Sequence, residues 1–180
     1  MSRSLNAAPA RSAHWTLRRL LTLLWIVGCA AMPVIVAANA GHLFLWNLTP
    51  SVPRGVYLVR RGVFPARGML VTFTPPGDAT ATIGARQYLP RGVTLLKHLL
   101  ALPGDHVCID HGSYSVNGQP VGDVASVDTL GRHLDPFLFC GLVPDGSAFV
   151  GSSAPLSFDS RYFGPVPLSS LTVVEAIWTF

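Results

Sequence analysis

The chain has 180 residues, enough for one ordinary domain and an appendage, and 49% are hydrophobic while 12% are charged, against about 25% charged in soluble domains. That shortfall excludes a disordered chain and points to a membrane segment. The net charge of +4 hides an asymmetry, since no acidic residue precedes Asp78 and eight of the thirteen basic residues lie in that stretch, which fits a basic segment beside lipid and excludes a basic nucleic-acid-binding domain.

From the N-terminus, Leu20 to Ala38 is apolar apart from Thr22. At about 1.5 Å per residue, such a helix reaches roughly the thickness of a bilayer's hydrocarbon layer. Arg3, Arg11, Arg18 and Arg19 precede it. The positive-inside rule then gives three parts: 1–19, a basic cytoplasmic N-terminus; 20–40, a transmembrane anchor; and 41–180, an exported domain. A cleaved signal peptide is the competing reading, because Ala38-Asn39-Ala40 is an A-x-A pattern that would leave Gly41 as the new start. The apolar run is longer than a usual signal core, which favours a retained anchor.

Past the membrane, 41–50 reads as a connector. Val56 to Arg60 and Met69 to Phe73 read as strands, 74–92 as turn and loop with Pro75-Pro76-Gly77 and Pro90-Arg91-Gly92, and Thr94 to Leu100 as a strand or short helix. Leu102-Pro103-Gly104-Asp105 is a turn, and His106 to Ile109 a strand. Asn117-Gly118 between Ser113–Val116 and Gln119–Val121 signals a type I′ hairpin. Residues 122–136 are polar and read as loop. Ala148-Phe149-Val150 and Val173 to Trp178 complete a mainly β, antiparallel domain on a single N-terminal transmembrane helix. Cys29 falls in the apolar segment. Cys108 and Cys140 fall in the exported domain, where an oxidising compartment permits a disulfide; two buried free thiols are the alternative. The histidines show no metal-ligand spacing, so neither a metal nor another cofactor is expected.

Against twelve arginines stands a single lysine, Lys97, within Leu95-Leu96-Lys97-His98-Leu99-Leu100. Arginine keeps its proton in a protein, whereas a desolvated lysine can lose it and act as a base. His98 follows directly, but in a strand it faces the other way. Upstream, Ser51 sits between two prolines in Asn47-Leu48-Thr49-Pro50-Ser51-Val52-Pro53-Arg54-Gly55-Val56-Tyr57, and downstream lies Ser157-Phe158-Asp159-Ser160-Arg161-Tyr162-Phe163-Gly164-Pro165-Val166.

In this order, the serine motif, Lys97 with Leu102-Pro103-Gly104-Asp105, and the Asp-Ser-Arg-Tyr-Phe-Gly box resemble the type I signal peptidase family. Arg54-Gly55-Val56-Tyr57 and the short length resemble its conjugative-transfer branch, the TraF-type peptidases. The resemblance implies a Ser–Lys dyad, with Ser51 as nucleophile and Lys97 as general base. It implies an oxyanion hole from the Ser51 backbone N–H and the Thr49 hydroxyl, and Ser157 as the residue orienting the lysine amine. Asp159 and Arg161 would be a supporting ion pair, with a direct role for Asp159 left open. The implied partner is an exported precursor, in this branch a pilin, with membrane lipid and other conjugative transfer proteins around it. Location would be the bacterial inner membrane, with the catalytic domain in the periplasm. Some relatives cyclise the pilin by aminolysis of the acyl-enzyme. Two departures separate the chain from a housekeeping enzyme: Val52-Pro53 follows the serine directly, where the family has a methionine and a later proline, and Gly151-Ser152-Ser153 stands where Gly-Asp-Asn opens the third box. Neither Ser152 nor Ser153 has a role by this reading. A general signal peptidase and a non-catalytic membrane-tethered channel component are the alternative functions.

Overall fold

The structure, a computed structural model, describes residues 11–40, 43–90, 92 and 94–180. Arg3, Gly41, His42 and Arg91 lie outside the described residues, as do the side chains of Arg11 and of Ala38-Asn39-Ala40. The chain divides into two units, Met1–His42 and Leu43–Phe180.

The first unit holds α1 (Arg11–Ala40), a single helix with Pro33 inside it. Its segment Leu17–Val36 is 20 residues long and apolar, and none of it is buried within the structure. Twenty residues at about 1.5 Å each span ~30 Å, the reach needed to cross a bilayer.

The second unit begins with β1 (Phe44–Asn47), β2 (Gly55–Arg60) and β3 (Leu70–Phe73), followed by α2 (Gly77–Ala85) and β4 (Leu95–Ala101). Then come β5 (His106–Ile109), β6 (Ser113–Val116), β7 (Gln119–Asp123), β8 (Phe139–Leu142) and β9 (Ser147–Gly151). A one-turn helix α3 (Ser160–Phe163), the two-residue β10 (Val166–Pro167) and β11 (Thr172–Thr179) complete it. All paired strands are antiparallel. They form a seven-stranded sheet, β1-β2-β11-β3-β4-β9-β10, and a four-stranded sheet, β7-β6-β5-β8. The fold is therefore mainly antiparallel β.

The strand β4 is central to the large sheet, and Leu95, Leu96, Lys97, Leu99 and Ala101 along it are all buried. Leu95 and Leu99 join Val71, Phe73, Val150 and Val173 in one core. Ala101 and Phe149, also of the large sheet, join Val107, Ile109, Tyr114 and Val116 of the small sheet in a second core. That shared cluster ties the two sheets together by apolar burial, which contributes roughly 25 cal/mol per Å² removed from water.

Asn117 and Gly118 both adopt positive φ, 50° and 76°, as a type I′ hairpin turn requires. Cys108 and Cys140 are directly opposed on β5 and β8 and are joined by a disulfide. Two segments differ from the sequence expectation and a third adds a strand to it. Residues 77–85 are helical rather than loop: Pro76 precedes the first helical residue, where its missing N–H costs nothing, and Asp78 in the first turn complements the helix dipole. Ala79 and Ile83, one turn apart, then bury the helix face. Phe44–Asn47 is an edge strand rather than a connector, because it pairs along its whole length with β2. Phe139–Leu142 is a strand paired with β5.

Candidate active site

The β1–β2 hairpin presents the serine. Asn47 pairs with Gly55 at the last rung, so 48–54 is the connecting loop. Asn47 is buried and makes five of that loop's hydrogen bonds. Its amide donates to the carbonyls of Thr49 at 3.0 Å, Val52 at 3.1 Å and Pro53 at 3.0 Å. Its carbonyl accepts from the Thr49 N–H at 3.1 Å and the Thr49 hydroxyl at 2.7 Å. Side-chain satisfaction of loop backbone is the usual physical role of asparagine in turns. Val52, buried against Tyr57, Leu96 and Val174, pins the loop to the sheet, and Tyr57 OH donates to the Pro53 carbonyl. Gly55 has no alternative here: a Cβ would lie 2.0 Å from the Trp178 carbonyl of β11. Ser51 is thus left half-buried at the loop's apex.

Lys97 projects from β4 and is only 3% exposed. Its Nζ donates to Ser157 Oγ at 2.7 Å. Burial lowers its pKa to about 8, with Asp159 pulling it upward and Arg161 pushing it downward. Ser157, itself buried, comes from the segment leading into α3. His98 faces elsewhere, with Nδ1 3.2 Å from the Gly68 carbonyl, as strand alternation demands.

Asp159 and Arg161 are both fully buried. Arg161 grips Asp159 with two bonds, Nε to Oδ1 at 2.9 Å and Nη2 to Oδ2 at 2.8 Å. Asp159 also caps α3 by accepting from the Arg161 backbone N–H. The remaining guanidinium donors reach the carbonyls of Asp123, at 2.8 Å, and Ser152.

Ser152 takes a place at the site that the sequence did not mark. It is 3% exposed. Its N–H donates to Asp159 Oδ2 at 3.2 Å, its carbonyl accepts from Arg161, and its hydroxyl donates to the carbonyl of Ser51. One residue therefore connects the two, its hydroxyl holding the serine loop and its backbone the buried ion pair. A hydroxyl in place of an acid beside another carboxylate carries no readable signal in one sequence.

Ser51, Thr49, Lys97 and Ser157 all line one cavity of about 830 Å³. Asp159 and Arg161 do not line it, and the Cys108–Cys140 bridge lies on the other sheet. The Thr49 hydroxyl hydrogen is committed to Asn47, so reaching an oxyanion requires it to exchange that partner. Among the described residues, no three His, Cys, Asp or Glu side chains gather as a metal site. What the arrangement offers chemically is a hydroxyl and a buried, easily deprotonated amine opening on the same space.

Beside the cavity, Phe44, Trp46, Leu48, Ile177, Trp178 and Phe180 are exposed on and around β1 and β11. Trp46 and Leu48 also belong to the cavity wall. Apolar side chains this large, gathered along β1 and β11 in the β1-β2-β11 part of the sheet, mark an interaction surface.

A family model described as signal peptidase, peptidase S26, matches residues 16–179. The chain is 37% identical over 175 residues to the conjugal transfer protein TraF of Agrobacterium tumefaciens (strain 15955), covering 91% of this chain and 99% of that one. It is 31% identical over 176 residues to the plasmid transfer protein TraF of Escherichia coli, covering 91% and 98% respectively. The crystal structure of a signal peptidase I from Enterococcus faecalis V583 is 25% identical, with a TM-score of 0.34, covering 64% of this chain and 97% of that chain.

Proposed function

The chain belongs to the signal peptidase S26 family, and we propose that it is a membrane-bound serine endopeptidase of conjugative transfer that cleaves an exported precursor, a pilin, with Ser51 as nucleophile and Lys97 as general base. The observation that carries this reading is the state of Lys97. Its amine is sequestered from water, aimed by Ser157, and brought by burial to a pKa of about 8, in the cavity that Ser51 also lines.

In this mechanism the neutral Lys97 amine keeps its N–H bond to Ser157 and uses its lone pair to take the Ser51 hydroxyl proton. The Ser51 oxygen bonds to the scissile carbonyl carbon. The Ser51 N–H and, after leaving Asn47, the Thr49 hydroxyl hold the oxyanion. The C–N bond breaks, and the departing amine takes the proton from Lys97. Water, deprotonated by Lys97, then bonds to the acyl carbon, the bond to the Ser51 oxygen breaks, and that oxygen takes the proton back from Lys97; the pilin's own amine in place of water would close a ring instead. Asp159 and Arg161 support the site through Ser152.

Residues 20–40 serve as the anchor, with 1–19 in the cytoplasm and 41–180 in the periplasm. The exposed Trp46, Trp178 and Phe180 support contact with lipid, since indole rings favour the headgroup level. The precursor then reaches Ser51 along the membrane surface.

The test is co-expression of a pilin precursor with wild type, Ser51→Ala and Lys97→Ala, read by intact mass. Both variants should accumulate uncut precursor while folded and membrane-bound. Normal processing by either would rule out the dyad. The product mass also separates a linear chain from a ring, which is lighter by one water.

A further inference from the structure

The cavity's lining carries charge that the dyad chemistry does not use. Arg86, at the end of α2, and Arg132 both line it, and Asp128 lies between them. Asp128 holds its own loop together, accepting from the N–H groups of Leu130 and Arg132 at 2.9 Å each, from Arg132 Nε at 2.7 Å and from Tyr88 OH at 2.6 Å. Burial pushes its carboxyl pKa up, but those hydrogen bonds outweigh it and hold the group well below the usual range. It is an anion under any working condition.

Arg132 is held closely: it gives Nε to Asp128 at 2.7 Å and Nη2 to the Arg86 carbonyl at 3.3 Å, and stacks over the Tyr88 ring at 5.4 Å. Arg86 is held more loosely. Among the described residues, its side chain commits Nη1 to Tyr88 OH at 3.3 Å and lies 3.6 Å from Asp128. Two guanidinium groups thus face one carboxylate, in a cavity that also holds Lys97 and whose apolar lining includes Ile83, Leu95, Leu134, Leu156 and Phe158. Asp135 also lends Arg86 a favourable field, but it is exposed, pairs with His133 and does not line the cavity. Within this cluster one positive charge is left over, on a planar fork suited to carboxylates, beside apolar walls that strengthen its field.

We propose that Arg86, braced by the Asp128–Arg132–Tyr88 cluster, forms a subsite that binds a carboxylate of the precursor, either an acidic side chain near the scissile bond or the chain's C-terminus. This assigns a specificity element to the cavity and rests on the peptidase reading only for the identity of the ligand as substrate.

The test uses the full chain in detergent as Ser51→Ala, so that bound peptide is not turned over. Fluorescent peptides carry alanine before the scissile bond and Glu, Gln or Lys at one flanking position at a time, with the C-terminus free or amidated. At one position, the Glu peptide or the free C-terminus should bind about tenfold tighter than its Gln or amide counterpart. The ratio should fall to about one with Arg86→Gln and stay intermediate with Arg86→Lys, which keeps the charge without the fork. The free-against-amidated arm separates the two sources of carboxylate. Equal or absent binding across the series overturns the subsite, as does a preference that survives Arg86→Gln. Cleavage of the same peptides by wild type is read independently: no cleavage with the preference intact would overturn the peptidase reading and leave the subsite standing.

Discussion

Two arginine–aspartate clusters stand near the cavity, built from the same side chains to opposite effect. Asp159 and Arg161 are sealed from water, one charge against one, with the guanidinium engaged by carboxylate and carbonyls. Asp128 with Arg86 and Arg132 opens to the cavity, and the two arginine side chains stay 27% and 36% exposed. A sealed pair is a brace, since its charges have nothing else to meet and breaking it strands an ion in a dry interior. A wetter cluster with a surplus cation gains little stability from its ion pairs and keeps a charge available for something else.

The sharpest way to break this comparison is to strand the sealed cation. Asp159→Ala should lower unfolding free energy by about 3–5 kcal/mol in a urea titration. Replacing both partners with apolar residues, Asp159→Leu with Arg161→Met, should recover much of that loss, because a buried pair and a well-packed apolar replacement are close in stability. Activity should not return, since Ser152 and the Ser51 carbonyl would lose their support. A double variant as unstable as the single one would mean that packing, not charge, governs this corner.

Lys97 reads the balance of the sealed pair. Asp159 raises its pKa and Arg161 lowers it, leaving burial as the dominant influence. The folded chain then gives up this proton near pH 8, while an unfolded lysine holds it to about 10.4. Proton binding is greater in the unfolded state between those values, so stability rises with pH across that window and the penalty is constant below it. Lys97→Met should therefore abolish activity yet add roughly 3 kcal/mol of stability at pH 7. In wild type, kcat/KM should climb about tenfold per pH unit up to about 8 and then level off. A variant no more stable than wild type would refute the claim that burial sets this amine.

The smallest effect separates bracing from folding alone. Ser152→Ala removes the hydroxyl bond to the Ser51 carbonyl and should cut kcat about tenfold with KM nearly unchanged. Ser152→Thr, which keeps a hydroxyl, should restore most of it. Ser160→Ala removes an equally buried hydroxyl that accepts from the Val150 N–H at 2.9 Å, and should cost about 1 kcal/mol of stability while sparing kcat. Equal kcat losses in both would make Ser152 merely structural.

Much of the fold was legible because its signals are local. Asn117-Gly118 names its own turn, and β4 and β11 are mostly apolar, with Leu95-Leu96 and Leu99-Leu100 in one and Val173-Val174 and Ile177-Trp178 in the other. The segment 77–85 was not, because Pro75-Pro76-Gly77 reads as a loop unless Ile83 is known to meet a core. The edge strand β1 escaped notice because its apolar residues point outward, with Phe44 and Trp46 both exposed. At the site, the serine, the lysine and the Asp-Ser-Arg box stood out as motifs. What connects them did not. Asn47 acts on carbonyls two to six residues away, and Tyr88 meets Asp128 across 40 residues; neither leaves a pattern in a single chain.

The solitary lysine has a practical consequence. Since every other cationic side chain, histidines apart, is a guanidinium, a preparation fed isotopically labelled lysine carries one side-chain amine resonance, in detergent or in lipid. There is nothing to assign and nothing to overlap. The protonation state on which the proposed reaction turns becomes a single line whose position can be followed as pH, precursor or bilayer composition is changed.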